Sequence, residues 1–115
     1  MPVFVHAIDD FSQATILKSD YAEAYCNLGV TYQEKGDLVS AVNAYKNAID
    51  NDNNYPTAHN NLGKIFLASG EIDSSIKHLE CAITLKSDFA DAHNNLGSAF
   101  LRINKLNDAI KSYKK

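Results

Sequence analysis

Residues Ala58 to Gly63 read AHNNLG, and the same six letters return at Ala92 to Gly97. A close variant, AYCNLG, occupies Ala24 to Gly29, so the copies are spaced 34 residues apart. Around this hexapeptide more of the chain recurs. Leu28, Leu62 and Leu96 align, each followed by Gly29, Gly63 or Gly97, and three residues on stand Tyr32, Phe66 and Phe100. Gly36, Gly70 and Asn104 come next, then the small Ala41, Ser75 and Ala109, then the bulky Tyr45, Leu79 and Tyr113. Ala7, Phe11 and Ala14 sit one period before Ala41, Tyr45 and Ala48, so the N-terminal segment is the second half of a partial unit.

Within a unit the apolar spacing is helical. Tyr25, Leu28, Gly29 and Tyr32 follow an i, i+3, i+4, i+7 pattern, and Leu38, Ala41, Val42, Tyr45, Ala48 and Ile49 do the same. Gly36 and Gly70 stand where one helix must stop and reverse, because glycine adopts the left-handed conformation without a Cβ penalty. Asn104, the third occupant, is the next most tolerant residue there. Asp20 to Glu23 has the form of a capping box, Asp88 to Asp91 a weaker one, and Asn54 precedes a Pro56 placed in a first turn. The pattern predicts helices over 4–18, 22–35, 38–52, 56–69, 72–86, 90–103 and 106–115.

Two helices of about 14 residues bury little alone, whereas stacked pairs share one continuous core. Mid-helix Gly29, Gly63 and Gly97 each cost about 0.5–1 kcal/mol against alanine, so each is expected to admit the bulky partner helix of its pair. A larger side chain there is expected to overpack the crossing by about 1–3 kcal/mol.

The 34-residue period, the Leu-Gly pair, the aromatic three later, the glycine turn and the Ala…Tyr…Ala of the second helix resemble the tetratricopeptide repeat. That resemblance covers about residues 4–115 and implies an all-α, right-handed superhelix (solenoid) of antiparallel helix pairs. The units run 4–21 for the partial repeat, then 22–55, 56–89 and 90–115. Tyr25, His59 and His93 occupy a place where the family often has Trp, and Ser19, Asn53 and Ser87 one where it often has Pro. The run FADAHNNLG at Phe89 to Gly97 looks like the repeats of O-GlcNAc transferases in particular.

The first helix of each pair lines the inner wall of such a superhelix. The stripe expected to face the groove takes in Glu23, Cys26, Asn27, Val30, Gln33 and Glu34 in one unit, and Thr57, Asn60, Asn61, Lys64 and Leu67 in the next. Asp91, Asn94, Asn95, Ser98, Leu101 and Arg102 follow in the third. An asparagine amide both donates and accepts, which suits the backbone of an extended peptide. The same amides serve equally to tie neighbouring helices. As peptide-binding residues the pattern points to Asn27, Asn60, Asn61, Lys64, Asn94, Asn95, Ser98 and Arg102. Three amide rungs at about 0.5–1.5 kcal/mol each reach only millimolar affinity, so further contacts are needed. A clamp for a terminal carboxylate is disfavoured, since Lys64 and Arg102 are opposed by Glu23, Glu34 and Asp91.

The remaining features exclude more than they assign. At net charge −3 there is no broad attraction to nucleic acid or anionic membrane, and no apolar run nears the ~18 residues of a membrane span. Cys26 and Cys81 show no metal spacing and fit two reduced thiols in a cytoplasmic setting. His59 and His93 stand one repeat apart, too far to share a metal, and read as packing residues; His6 and His78 are expected on solvated faces. No nucleophile motif or phosphate loop occurs, so no catalytic residue, cofactor or metal is expected. The inference is a non-catalytic scaffold for a protein or peptide partner, or the substrate-recruiting arm of a larger glycosyltransferase. The chain begins and ends inside a unit, as a piece of a longer array would. Ile110 and Tyr113 are expected to expose an apolar patch that supports self-association.

Overall fold

The computed structural model describes residues 14–113, with side chains excepted at 14–19, 108, 109, 112 and 113. The partial unit's Ala7 and Phe11, and His6, lie outside the described residues. Five helices are present among them and no strand: α1 (Ala14–Glu34), α2 (Leu38–Asn51), α3 (Pro56–Ala68), α4 (Ile72–Leu85) and α5 (Ala90–Tyr113). The chain divides into two compact units, Met1–Ala58 and His59–Lys115.

In the first unit α1 and α2 form a tight hairpin. Gly36 takes φ +82°, and the bonds Gly36 N–H to Gln33 O (3.0 Å) and Asp37 N–H to Tyr32 O (2.9 Å) close the end of α1. This turn satisfies carbonyls that the helix end would otherwise leave orphaned. Asp37 then starts α2 as its N-cap, its carboxylate accepting from Ser40 N–H at 3.1 Å. α2 buries Ala41, Ala44, Tyr45 and Ala48 against α1.

The tight approach predicted at Gly29 is realised. A Cβ on Gly29 would stand 2.6 Å from Tyr45 Cε1, inside any permissible contact, and the Tyr45 ring is fully buried. The Tyr45 hydroxyl donates to Gln33 Oε1 at the far side of the crossing.

The second unit repeats this chemistry one period on. Gly70 has φ +84°, and the bonds Gly70 N–H to Leu67 O and Glu71 N–H to Phe66 O close α3. A Cβ on Gly63 would lie 2.6 Å from Leu79 Cγ. Ser75, fully buried, satisfies its hydroxyl by donating to Gly63 O at 2.6 Å, which explains a polar residue at a small-residue position. Leu79 and Ala82 of α4 meet Ala92 of α5, with Ile83, Phe89 and Leu96 packed around them.

α1 is continuous through Asp20, so the expected break between residues 18 and 22 is absent and the Asp20 capping box is not used. α3 begins at Pro56 and α5 at Ala90, as expected, with Asn54 and Asp88 in the preceding turns. Asn54 N–H is held there by the Asp52 carboxylate.

The largest difference is in α5, which runs 24 residues straight through Asn104, so the third hairpin does not form. The physical reason lies first in residue 104. Asn104 replaces the glycine that bears positive φ at 36 and 70, and no non-glycine residue among those described takes positive φ. Lys105 follows it where Asp37 caps α2, and an ammonium group cannot accept a helix N–H; Glu71, in the same place, starts α4 with no side-chain cap bond, so the glycine is what the two formed turns share. Without that glycine, continued helix is the lower-energy choice. Gly97 consequently faces no partner, and a Cβ there would meet nothing within 4 Å.

Candidate functional site

Each unit carries part of the stripe expected to face a ligand, and each part is described separately. In the first unit Glu23, Asn27, Val30 and Glu34 are exposed on α1. Asn27 uses its backbone carbonyl to accept from the Thr31 hydroxyl (3.1 Å). Two members of the predicted stripe point elsewhere. Cys26 is buried at 2% exposure, and Gln33 accepts from the Tyr45 hydroxyl at the α1–α2 crossing. Tyr55, part-buried, has its phenol pushed above the ordinary range, first by burial and then by electrostatic interaction with Cys26, Glu23 and Asp52.

In the second unit the stripe is built from α3 and α5. Asn95 Nδ2 donates to Asn60 Oδ1 at 3.0 Å, and Asn60 is 3% exposed. The Arg102 guanidinium donates to Leu67 O. Both contacts join residues 35 apart, one on each first helix, so they fix these two helices side by side. Around them Lys64, Asn94, Ser98, Leu101 and Arg102 are exposed, and Asn61 and Asn95 are half-buried. The Ser98 hydroxyl donates to Asn94 O at 3.2 Å, which leaves the Asn94 side-chain amide on the surface.

The eight candidate residues therefore divide by role. Asn60, Asn95 and Arg102 hold helices together, a role that their residue types also allow. Asn27, Lys64, Asn94 and Ser98 present polar atoms outward, with Asn61 at the margin. An amide at the same position of each first helix was legible in the repeat spacing. Which amides turn toward each other depends on the offset between neighbouring first helices, which no single helix encodes.

Packing places two of the described histidines. His59 is 5% exposed, its ring 5.4 Å from that of His78, with their Nδ1 atoms 3.2 Å apart. His78 also stacks on Phe66 at 5.6 Å and is half-buried, which corrects its expected solvated position. His93, expected as a packing residue, is instead exposed and bonds through Nε2 to Ser87 O at 2.9 Å. Cys81 is exposed. An open apolar hollow lies between Gly70 and Ile72 on one side and Arg102, Lys105 and Leu106 on the other. Among the described residues no helix is long and apolar enough to cross a membrane. Ile110 is exposed, as expected of the apolar patch, and the Tyr113 side chain lies outside the described residues.

Comparison with known proteins adds to this geometry. The family model described as TPR repeat matches residues 6–36, 31–70 and 63–104. No curated protein matches. Among solved structures, the second TPR of Spaghetti (RPAP3), bound to HSP90 peptide SRMEEVD, aligns with a TM-score of 0.72 at 21% identity, over 84% of this chain and 89% of that one. The N-terminal domain of stress-induced protein-1 from C. elegans aligns at 0.70 and 24% identity, over 82% and 80%. MamA aligns at 0.70 and 29% identity over 84% of this chain, which spans 56% of the MamA chain.

Proposed function

Because the chain belongs to the tetratricopeptide repeat family, we propose that it is a non-catalytic interaction scaffold that holds an extended peptide against its first helices. The observation that carries this reading is the division of labour on α3 and α5. The Asn60–Asn95 and Arg102–Leu67 bonds fix the wall of the second unit, while the exposed Lys64, Asn94 and Ser98 offer polar atoms to a ligand backbone. Amides recognise backbone rather than side-chain charge, so the scaffold accepts neutral extended segments.

The HSP90 peptide seen on Spaghetti ends in acidic residues and a carboxylate. In this chain Arg102 already serves the Leu67 carbonyl, and Lys64 is one exposed ammonium, so a clamped carboxylate is a poor fit. A fluorescence-polarisation titration of SRMEEVD and its C-terminal amide tests this; the two are expected to bind equally weakly. The scaffold reading itself is tested by peptide display on the whole chain and on a Lys64→Ala, Asn94→Ala, Ser98→Ala variant. Enrichment that survives the triple change with the helical spectrum intact overturns the proposed wall.

The run FADAHNNLG supports a second reading, in which this segment recruits substrates for a larger O-GlcNAc transferase-like enzyme. A glycosyltransferase domain in the same polypeptide distinguishes it. In either case the repeats themselves do no chemistry.

A further inference from the structure

We infer that α5 is one half of a two-fold exchange, in which the C-terminal stretch of a second copy of this chain fills the notch at Gly97. The first two hairpins establish what the notch is for. Each mid-helix glycine faces a bulky side chain sixteen residues later, Tyr45 against Gly29 and Leu79 against Gly63, at 2.6 Å from where a Cβ would be. At Gly97 the space is empty, while its counterpart in the repeat, Tyr113, stands sixteen residues on in the same unbroken helix. At about 1.5 Å per residue that places the two roughly 24 Å apart, so Tyr113 cannot reach the notch of its own chain.

A second copy reaches it without any new surface. Gly97 and Tyr113 lie eight residues on either side of Lys105. Two α5 helices laid antiparallel about Lys105 set Gly97 of each against Tyr113 of the other. The interface is isologous and closes as a dimer. Straightening the turn also aligns the apolar residues of both halves. Phe100, Ile103, Leu106 and Ile110 then recur at steps of three, three and four residues along one face of the helix. Phe100 is 46% exposed, Leu106 54% and Ile110 52%, an apolar stripe that a soluble helix leaves open to water only at a cost. The exchange returns to each chain the packing that its third hairpin forgoes. It is independent of peptide binding at the first helices.

Cross-linking of the full chain tests this. In a Cys26→Ala, Cys81→Ser background, Ser98→Cys with Ser112→Cys, which leaves Gly97 and Tyr113 in place, is treated with a short bismaleimide, using an equal mixture of 14N and 15N protein. The expected product is a dimer whose 98–112 link joins 14N to 15N peptides. A 98–112 link confined to one copy overturns the exchange. Light scattering of the unsubstituted chain gives a second reading, since a monomer up to millimolar concentration also overturns it. Restoring the turn with Asn104→Gly and Lys105→Asp should weaken dimerisation on the order of tenfold or more and convert the cross-link to an intramolecular one. Unchanged dimerisation in that variant, with circular dichroism confirming the fold, counts against the mechanism.

Discussion

Three glycines at one repeat position have two different environments, and substitution separates them. At Gly29 an added methyl meets the Tyr45 ring, which is fully buried and anchored through its hydroxyl to Gln33. The ring has no room to yield, so Gly29→Ala should destabilise by about 1–3 kcal/mol. Gly97 is helical with open space around its Cβ direction, so Gly97→Ala should raise monomer stability by about 0.5–1 kcal/mol through helix propensity. Urea unfolding of the two variants at low protein concentration checks the opposite signs; equal losses would mean that Gly97 is packed as its relatives are. The sequence displayed the period and the reason for Gly29 and Gly63. It concealed the state of Gly97, because a repeat pattern assumes that each unit closes and the closure depends on residues 104 and 105.

Helix ends follow the same division between what is local and what is not. The turns at Gly36 and Gly70 were readable because a single left-handed residue decides them. Asn104 resembles an equivalent stop in the sequence, yet tolerance for a left-handed conformation is no reason to adopt it when continued helix carries no penalty. Asp20 likewise has a capping sequence but stays inside α1, where no glycine precedes it to end the helix. Asp37 shows what a functioning cap contributes. Hydrogen bonds from the Ser40 side chain and then from Ser40 N–H hold its carboxyl below the ordinary value. A depressed folded value means that the unfolded chain binds the proton more tightly, so this stabilisation is present above the unfolded carboxylate range. It fades as pH falls through the folded value. Asp37→Asn keeps a capping oxygen without the titration. Urea midpoints measured at about pH 7 and about pH 3 should therefore fall less for Asp37→Asn than for the parent. An equal fall in both assigns the acid sensitivity to other carboxylates.

Across the whole chain, the all-α architecture of helix pairs was legible because a period of 34 residues appears only when neighbouring units bury equivalent surfaces. The proposed wall was half legible. Spacing placed an amide at the same position of each first helix, but Asn60, Asn95 and Arg102 are turned to their neighbours by contacts between helices distant in sequence. Repeat arrays are held by nearest-neighbour packing, so damage to one core should remain local. Leu79 gives the sharpest case. It is fully buried, fills the notch at Gly63, and joins Ala82, Ala92, Ile83, Phe89 and Leu96 in one cluster of the second unit. Leu79→Ala should cost about 2–5 kcal/mol, since the surrounding helices collapse only partly onto the cavity. Hydrogen exchange read by mass spectrometry then has a distinct expected pattern. Amides of α4 and of α5 through Ile103 should exchange at least about tenfold faster, which corresponds to 1.4 kcal/mol or more of lost local protection. Amides of α1 and α2, whose hairpin is closed by its own Gly36 turn and Tyr45 crossing, should change by much less. A uniform acceleration from α1 to α5 would instead make the chain a single cooperative unit, and the repeat would then describe its sequence without describing how it unfolds.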